Sequence, residues 1–340
     1  MKRQIHYISV LNVLACLCVI GMHCNGIVHR YETIPAWWLS FAIEVLAYWA
    51  VPAFFMISGA TMMDYPERYS TRIFIQRRLK KVGIPLVFWT AIFYIYKRIN
   101  GSIEWTGFRS FLNMILNFQI EGTYWFFAPL FMIYISLPIL SRLRNDDKLL
   151  RYTIAAGVLT HSVLPFLCNV LGLSFNGHLY FPMTGGYILY PLIGYYLHKT
   201  DFHRWQRLLI YLLGIIGIFI RFGHTGYTFA VQGTASTITW GYLNLPALML
   251  STAVFVFIKY VCQTRWLQNE KLQKSFRWLA GGSFCVYLIH IFIINQLTYR
   301  LCIDLYSPYW QLAGAFLVYI FAIMVVKIVQ KIPVVKNLFP

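Results

Sequence analysis

His6-Tyr-Ile-Ser-Val-Leu-Asn-Val-Leu-Ala-Cys-Leu-Cys-Val-Ile-Gly-Met-His-Cys24 runs from residue 6 to residue 24 without an Asp, Glu, Lys or Arg. As an α-helix rising about 1.5 Å per residue, it is long enough to cross the hydrocarbon of a bilayer. Working outward from it, apolar stretches recur to the end of the chain, at roughly 6–24, 37–63, 82–97, 123–141, 152–172, 181–198, 208–222, 238–259, 278–298 and 309–330. The pattern predicts an all-α integral membrane protein of about ten transmembrane helices, with one transmembrane domain over 1–340 and no soluble domain. The longest outer connections, about 98–122 and 223–237, are no more than loops.

Composition points the same way. The 340 residues are 59% hydrophobic, 18% aromatic and 12% charged, with a mean hydropathy of +0.60. A water-exposed surface needs about twice that charged fraction, which excludes a soluble enzyme on a single anchor and a disordered chain alike. A net charge of +18 would point to nucleic acid in a soluble protein, but in a membrane protein it arises when Lys and Arg collect on one side. With Met1, Lys2 and Arg3 in the cytoplasm, only Arg30, Lys97, Arg98, Arg109, Arg221 and Arg300 of the 29 basic residues fall outside. The positive-inside rule then places both termini in the cytoplasm, in a multi-pass plasma-membrane protein with no nucleic-acid partner.

The first span reads as a retained helix, because Met22, His23, Cys24 and Asn25 are too bulky for a signal-peptide cleavage site. Trp37, Trp38, Trp105, Trp125 and Trp240 fall near span ends, where interfacial rings belong. The seven cysteines lack metal-ligand spacing and read as packing residues, so no metal is expected. Cys24 and Cys302 share the outer side, which alone would allow a disulfide.

Polar groups inside lipid-spanning stretches are costly and carry the functional information. Ser9, Asn12, Cys16 and His23 share one helical face over about 20 Å. Interhelical hydrogen bonding accounts for Ser9 and Asn12 taken singly; His23 is a titratable group in the membrane and reads as functional. Glu44, two turns into the second span, either orients His23 or is a protonated carboxyl packed on a neighbour. Pro52 and the Ser58-Gly59 pair bend or thin that helix. Arg72, Arg77, Arg78, Lys80 and Lys81 form a cluster that attracts phosphates, either of anionic lipid head groups or of a phosphorylated cytoplasmic substrate. Ser283, Tyr287 and His290, spaced by four and three, share a face of the ninth span that is a packing seam, a proton path or a tunnel wall.

Taken together these residues resemble the acyltransferase 3 family of multi-pass membrane O-acyltransferases, which modify bacterial surface carbohydrates. The resemblance covers nearly the whole chain. It rests on His23, on Val51-Pro52-Ala53-Phe54-Phe55-Met56-Ile57-Ser58-Gly59, and on Arg77-Arg78-Leu79-Lys80-Lys81 leading to Pro85. It continues in Trp125-Phe126-Phe127, Gly194-Tyr195-Tyr196-Leu197 and Ser283-Phe-Cys-Val-Tyr287-Leu-Ile-His290. The family usually carries an Arg eleven residues before the first-span His and an Asp three residues earlier, where this chain has Asn12 and Ser9.

The resemblance implies cytoplasmic acyl-CoA, by family habit acetyl-CoA, as donor, and a carbohydrate acceptor on the extracytoplasmic side. His23 would be general base or transient acyl carrier, with Glu44 beside it. Asn12, Ser58, Trp125, Ser283, Tyr287 and His290 would line the tunnel, and Arg72, Arg77, Arg78, Lys80 and Lys81 would hold the phosphates. Some relatives carry a fused extracytoplasmic hydrolase-like domain, which here would be replaced by direct transfer or by a separate protein. From a different class, a transporter or flippase would use the same polar stripe and Glu44 as a substrate or proton path.

Overall fold

The computed structural model describes residues 5–32, 34–104, 107–233, 236, 238–332 and 338. Met1, Lys2, Arg3 and Trp105, used above for orientation and interface, lie outside the described residues. The described residues form helices and turns, with no strand among them. A chain whose surface faces lipid must satisfy its backbone hydrogen bonds within each segment, and only helices and closed barrels do so.

The helices are α1 (Ile5–Cys24), α2 (Pro35–Ala47), α3 (Ala50–Met62), α4 (Thr71–Arg78), α5 (Ile84–Ile99), α6 (Phe108–Leu116), α7 (Phe127–Leu140), α8 (Asp147–Val158), α9 (Leu164–Val170), α10 (Leu189–Lys199), α11 (Arg204–Gln232), α12 (Leu245–Val261), α13 (Glu270–Ala280), α14 (Ser283–Arg300) and α15 (Pro308–Val329). Several join into longer rods. The pairs α4 with α5 and α8 with α9 run on through wide i→i+5 turns at Leu79–Gly83 and Leu159–Val163. Between α2 and α3, Pro52 has no N–H for the carbonyl of Tyr48, four residues back, and the helix breaks at Tyr48–Trp49.

Among the described residues, seven such segments are long and apolar enough to cross a membrane, and α13 with α14, bent by 59°, makes an eighth. The two remaining stretches are shorter than their apolar runs. Leu245–Val261 has the length of a marginal span, and of the expected 181–198 helix only Leu189–Lys199 forms, after the turns at Gly177–Leu179 and Pro182–Thr184. Two expected loops contain helix: 98–122 holds α6, and 223–237 is helical to Gln232.

Contacts at the segment ends show the alternation of the bundle. At the end bearing the Arg72–Lys81 run, Tyr7 meets His198 and Lys199 pairs with Asp147 at 2.8 Å. There too the Lys259 ammonium caps the last carbonyls of α10, donating to Leu197, His198 and Thr200. At the opposite end Trp310 donates to the Cys24 carbonyl, Lys97 pairs with Glu121 at 3.2 Å, and Arg30 bonds the Tyr306 hydroxyl. The tightest crossing is α3 on α10. A Cβ on Gly59 would lie 1.8 Å from the Pro191 carbonyl oxygen, and one on Gly194 would lie 2.1 Å from that of Met56. The expected thinning at Ser58-Gly59 is therefore a backbone-to-backbone contact.

Beside the main core, Val28, Trp37, Phe41, Val45 and Phe229 form a small apolar cluster between α2 and α11. Trp37 is fully buried in it, stacked 3.9 Å from Phe229 and donating to the Val28 carbonyl. It is thus a core residue and not an interfacial ring. Cys24 is buried, Cys302 is exposed, and neither is bridged.

Candidate active site

The polar stripe of α1 faces α14. Cys16 Sγ contacts the Ser283 carbonyl at 3.8 Å, and about two turns further on the His23 and His290 rings lie 5.1 Å apart. His23 stands deep in the bundle but remains accessible, so it borders an opening between helices, while His290 is fully buried. The Nδ1 of His290 lies 2.6 Å from the Tyr287 carbonyl. A carbonyl only accepts, so Nδ1 carries the proton, and in the neutral ring Nε2 keeps the lone pair. That Nε2 is buried without a protein partner.

Toward the basic end, Asn12, Ser58, Ser283 and Tyr287 line a cavity of about 150 Å³ whose other walls include Phe126, Phe127 and Tyr134. Ser58 Oγ donates to the Phe54 carbonyl at 3.1 Å. Tyr287 is fixed by a reciprocal clamp: its hydroxyl donates to the Thr123 carbonyl, and the Tyr124 hydroxyl donates to the Leu288 carbonyl. The phenol proton of Tyr287 is therefore committed. Asn12 is half-buried and lines the cavity, with its Oδ1 unpartnered.

Of the five clustered cations, Arg78 turns inward. Its guanidinium lies 5.8 Å from the Phe74 ring and 6.0 Å from that of Tyr134, a cavity wall, and its Nη1 reaches Met62 Sδ. Arg72, Arg77, Lys80 and Lys81 are exposed, and Arg77 sits over Tyr69 at 4.5 Å. Lys327 stands close by, its Nζ 3.7 Å from where a Cβ on Gly281 would lie, two residues before the cavity residue Ser283. Lys327, from α15, had no place in the sequence reading; a lysine near the basic end of the last span is its only signature.

Glu44 and Trp125 lie elsewhere. The Glu44 carboxylate pairs with Arg221 at 3.8 Å, and the Arg221 guanidinium stacks 3.3 Å from the Tyr48 ring and 5.3 Å from that of Trp240. Arg221, counted above on the outer side at the end of the 208–222 stretch, is a buried member of α11, 2% exposed. Its charge is balanced by the carboxylate that the sequence assigned to His23. Trp125 is outside the cavity lining, stacked on Tyr242 at 5.7 Å. On the adjoining loop, burial and the Arg221 guanidinium hold the His29 imidazole below its usual pKa.

Beyond His23, a polar knot fixes the end of α1. Asn25 Nδ2 donates to the carbonyls of Gly21 and Gln311, Ser40 donates to Asn25 Oδ1, and Gln311 Nε2 donates to Ser40 and to the Ala36 carbonyl. These three side chains tie α1, α2 and α15 together two residues from His23. Each is a common hydrogen-bonding residue at a span end, and nothing in the sequence marks them as one group.

Fold and site together describe a multi-pass membrane protein with a histidine pair above a narrow, partly polar cavity. A family model described as an acyltransferase domain, that of the acyltransferase 3 family, matches residues 5–330, and the chain belongs to that family. Membership indicates a membrane acyltransferase. No curated protein and no solved structure matches the chain.

Proposed function

We propose that this protein is a plasma-membrane O-acyltransferase whose ten apolar stretches all lie in the bilayer, with both termini cytoplasmic. It takes an acyl group, by family habit acetyl, from cytoplasmic acyl-CoA and transfers it to a hydroxyl of a cell-surface or lipid-linked carbohydrate on the other side. The observation that carries this reading is the continuous line from Arg78, past Tyr134 and the cavity of Asn12, Ser58, Ser283 and Tyr287, to His290 and His23. Arg78, with the exposed Arg72, Arg77, Lys80 and Lys81, supplies the positive charge that the donor phosphates need. The cavity takes the pantetheine arm.

At the far end of the line the thioester meets the histidines. His23 accepts the proton of the acceptor hydroxyl as its oxygen attacks the thioester carbonyl. The tetrahedral intermediate collapses with cleavage of the carbon–sulfur bond, and the proton passes from His23 to the departing thiolate. The alternative order has His23 take the acyl group first and pass it to the acceptor. Tyr287 has no spare proton for an oxyanion, and the Asn12 amide, about 16 Å down α1 from His23, faces the cavity where it can donate to a pantetheine amide carbonyl. Glu44 acts on this site through the α2–α11 pairing and not as a direct partner of His23.

The test is thiol release from acetyl-CoA by detergent-purified protein, with and without a saccharide acceptor. Release that disappears in His23→Ala supports the reading. Absence of both turnover and acyl-CoA binding in the wild-type protein removes it in favour of a transport role.

A further inference from the structure

Helix α13 carries a residue that its packing does not explain. Phe276 and Leu279 pack against the core, and Leu272 shares their side of the helix. Lys271, Lys274 and Trp278, spaced by three and four, occupy the other side, and all three are exposed, Trp278 by 54%. A tryptophan on the lysine-bearing face of an amphipathic helix contributes nothing to the bundle core. Its ring instead has the Lys327 ammonium 5.0 Å from its centroid.

Lys327 stands at the 59° bend between α13 and α14. A Cβ on Gly281 would meet its Nζ at 3.7 Å, and one on Gly282 would meet its Cε at 3.4 Å. The next residue, Ser283, lines the cavity. An exposed aromatic face and an ammonium beside it therefore meet where the cavity line reaches the basic end.

We propose that Trp278 and Lys327 form the seat for the nucleotide end of the donor. The adenine ring stacks on Trp278, and the phosphates lie against Lys327. This inference rests on the acyl-CoA reading above and extends it by separating nucleotide recognition from the thioester chemistry. Stacking on an aromatic face is tolerant and worth about tenfold or more in affinity per base. A phosphate at Lys327 would add a charge-assisted contact. From Gly282 to His290, α14 rises about 12 Å, a distance that the extended pantetheine arm covers.

The experiment compares acetyl-CoA with acetyl-pantetheine, which bears the same thioester without the nucleotide and its phosphates, as donors for the full-length protein in detergent. Wild-type protein is expected to prefer acetyl-CoA. Trp278→Ala raises the KM for acetyl-CoA about tenfold with a smaller change in kcat, so the preference between the two donors shrinks. Lys327→Gln does the same, whereas Trp278→Phe and Lys327→Arg recover most of the affinity. A Trp278→Ala protein with the wild-type KM for acetyl-CoA overturns the seat and leaves the acyl-CoA reading standing. Equal loss with both donors also overturns it, since that is what a mere interfacial anchor would give. No use or binding of acetyl-CoA by the wild type removes both.

Discussion

His23 and His290 approach to 5.1 Å from two helices that are remote in sequence, and the hydrogen bond from His290 Nδ1 to the Tyr287 carbonyl turns the basic nitrogen of the second ring away from its own helix turn. The two rings differ in surroundings. His290 is fully enclosed, whereas His23 borders open space. The accessible ring is the one a substrate can reach, and truncating it leaves no collapsed core behind.

His23→Ala is accordingly expected to lower acyl transfer by at least about a hundredfold, as loss of a general base does, while the protein stays monodisperse with a thermal midpoint close to wild type. Thiol release and a melting curve on the same preparation check both halves. Wild-type turnover in a folded His23→Ala protein would contradict the mechanism.

The basic run separates by orientation. Arg78 lies against Phe74 and Tyr134 beside the cavity, and Arg77 lies outside over Tyr69. Arg78→Gln is expected to raise the KM for acyl-CoA by about tenfold, the worth of one charge-assisted contact. Arg77→Gln should raise it by a smaller factor. Initial rates over a range of donor concentrations decide, and a larger effect at Arg77 would show that the donor docks on the outer face of α4.

The features legible in the sequence were those carried by local periodicity. The stripe of Asn12, Cys16 and His23 and the face of Ser283, Tyr287 and His290 each follow from helical spacing, and the two do meet. Glu44 shows where that reasoning ends. Its depth in the second span is similar to that of His23 in the first, but depth says nothing about azimuth, and the carboxylate turns to α11 and Arg221. Arg221 was read as the outer end of its span because an arginine ends an apolar run in any hydropathy reading. Neutralised by Glu44 and stacked on Tyr48, it lets α11 continue to Gln232. The inward turn of Arg78 and the arrival of Lys327 from α15 depend on long-range packing, which no spacing rule encodes.

The pairing of Glu44 with Arg221 makes a separate prediction. Both side chains are almost wholly buried, so removing one partner strands the other charge at a cost of about 3–5 kcal/mol. Glu44→Gln and Arg221→Met are each expected to be strongly destabilised. The double replacement should be more stable than the sum of the two losses implies. Unfolding midpoints of the four proteins in one detergent close the cycle, and strict additivity would show that the two groups act independently.

The glycines of the α3–α10 crossing supply the last test, because their neighbours are backbone atoms that cannot rotate away. Gly59→Ala places a methyl where the Pro191 carbonyl oxygen stands, and Gly194→Ala does so against that of Met56. The helices must part, which costs about 1–3 kcal/mol or more in a packed core. Parting them also shifts Ser58, next to Gly59, in the cavity wall. Both variants should lose yield, melting temperature and transfer activity together. Gly223 on α11 has nothing within 4 Å of its would-be Cβ. Gly223→Ala there removes backbone freedom from the unfolded chain and is expected to stabilise the protein by about 0.5–1 kcal/mol. The opposite signs at the two places, read by thermal melting, distinguish a specific backbone contact from a general intolerance of α-helical substitution; destabilisation of the same size at Gly223 would refute the close crossing as the cause.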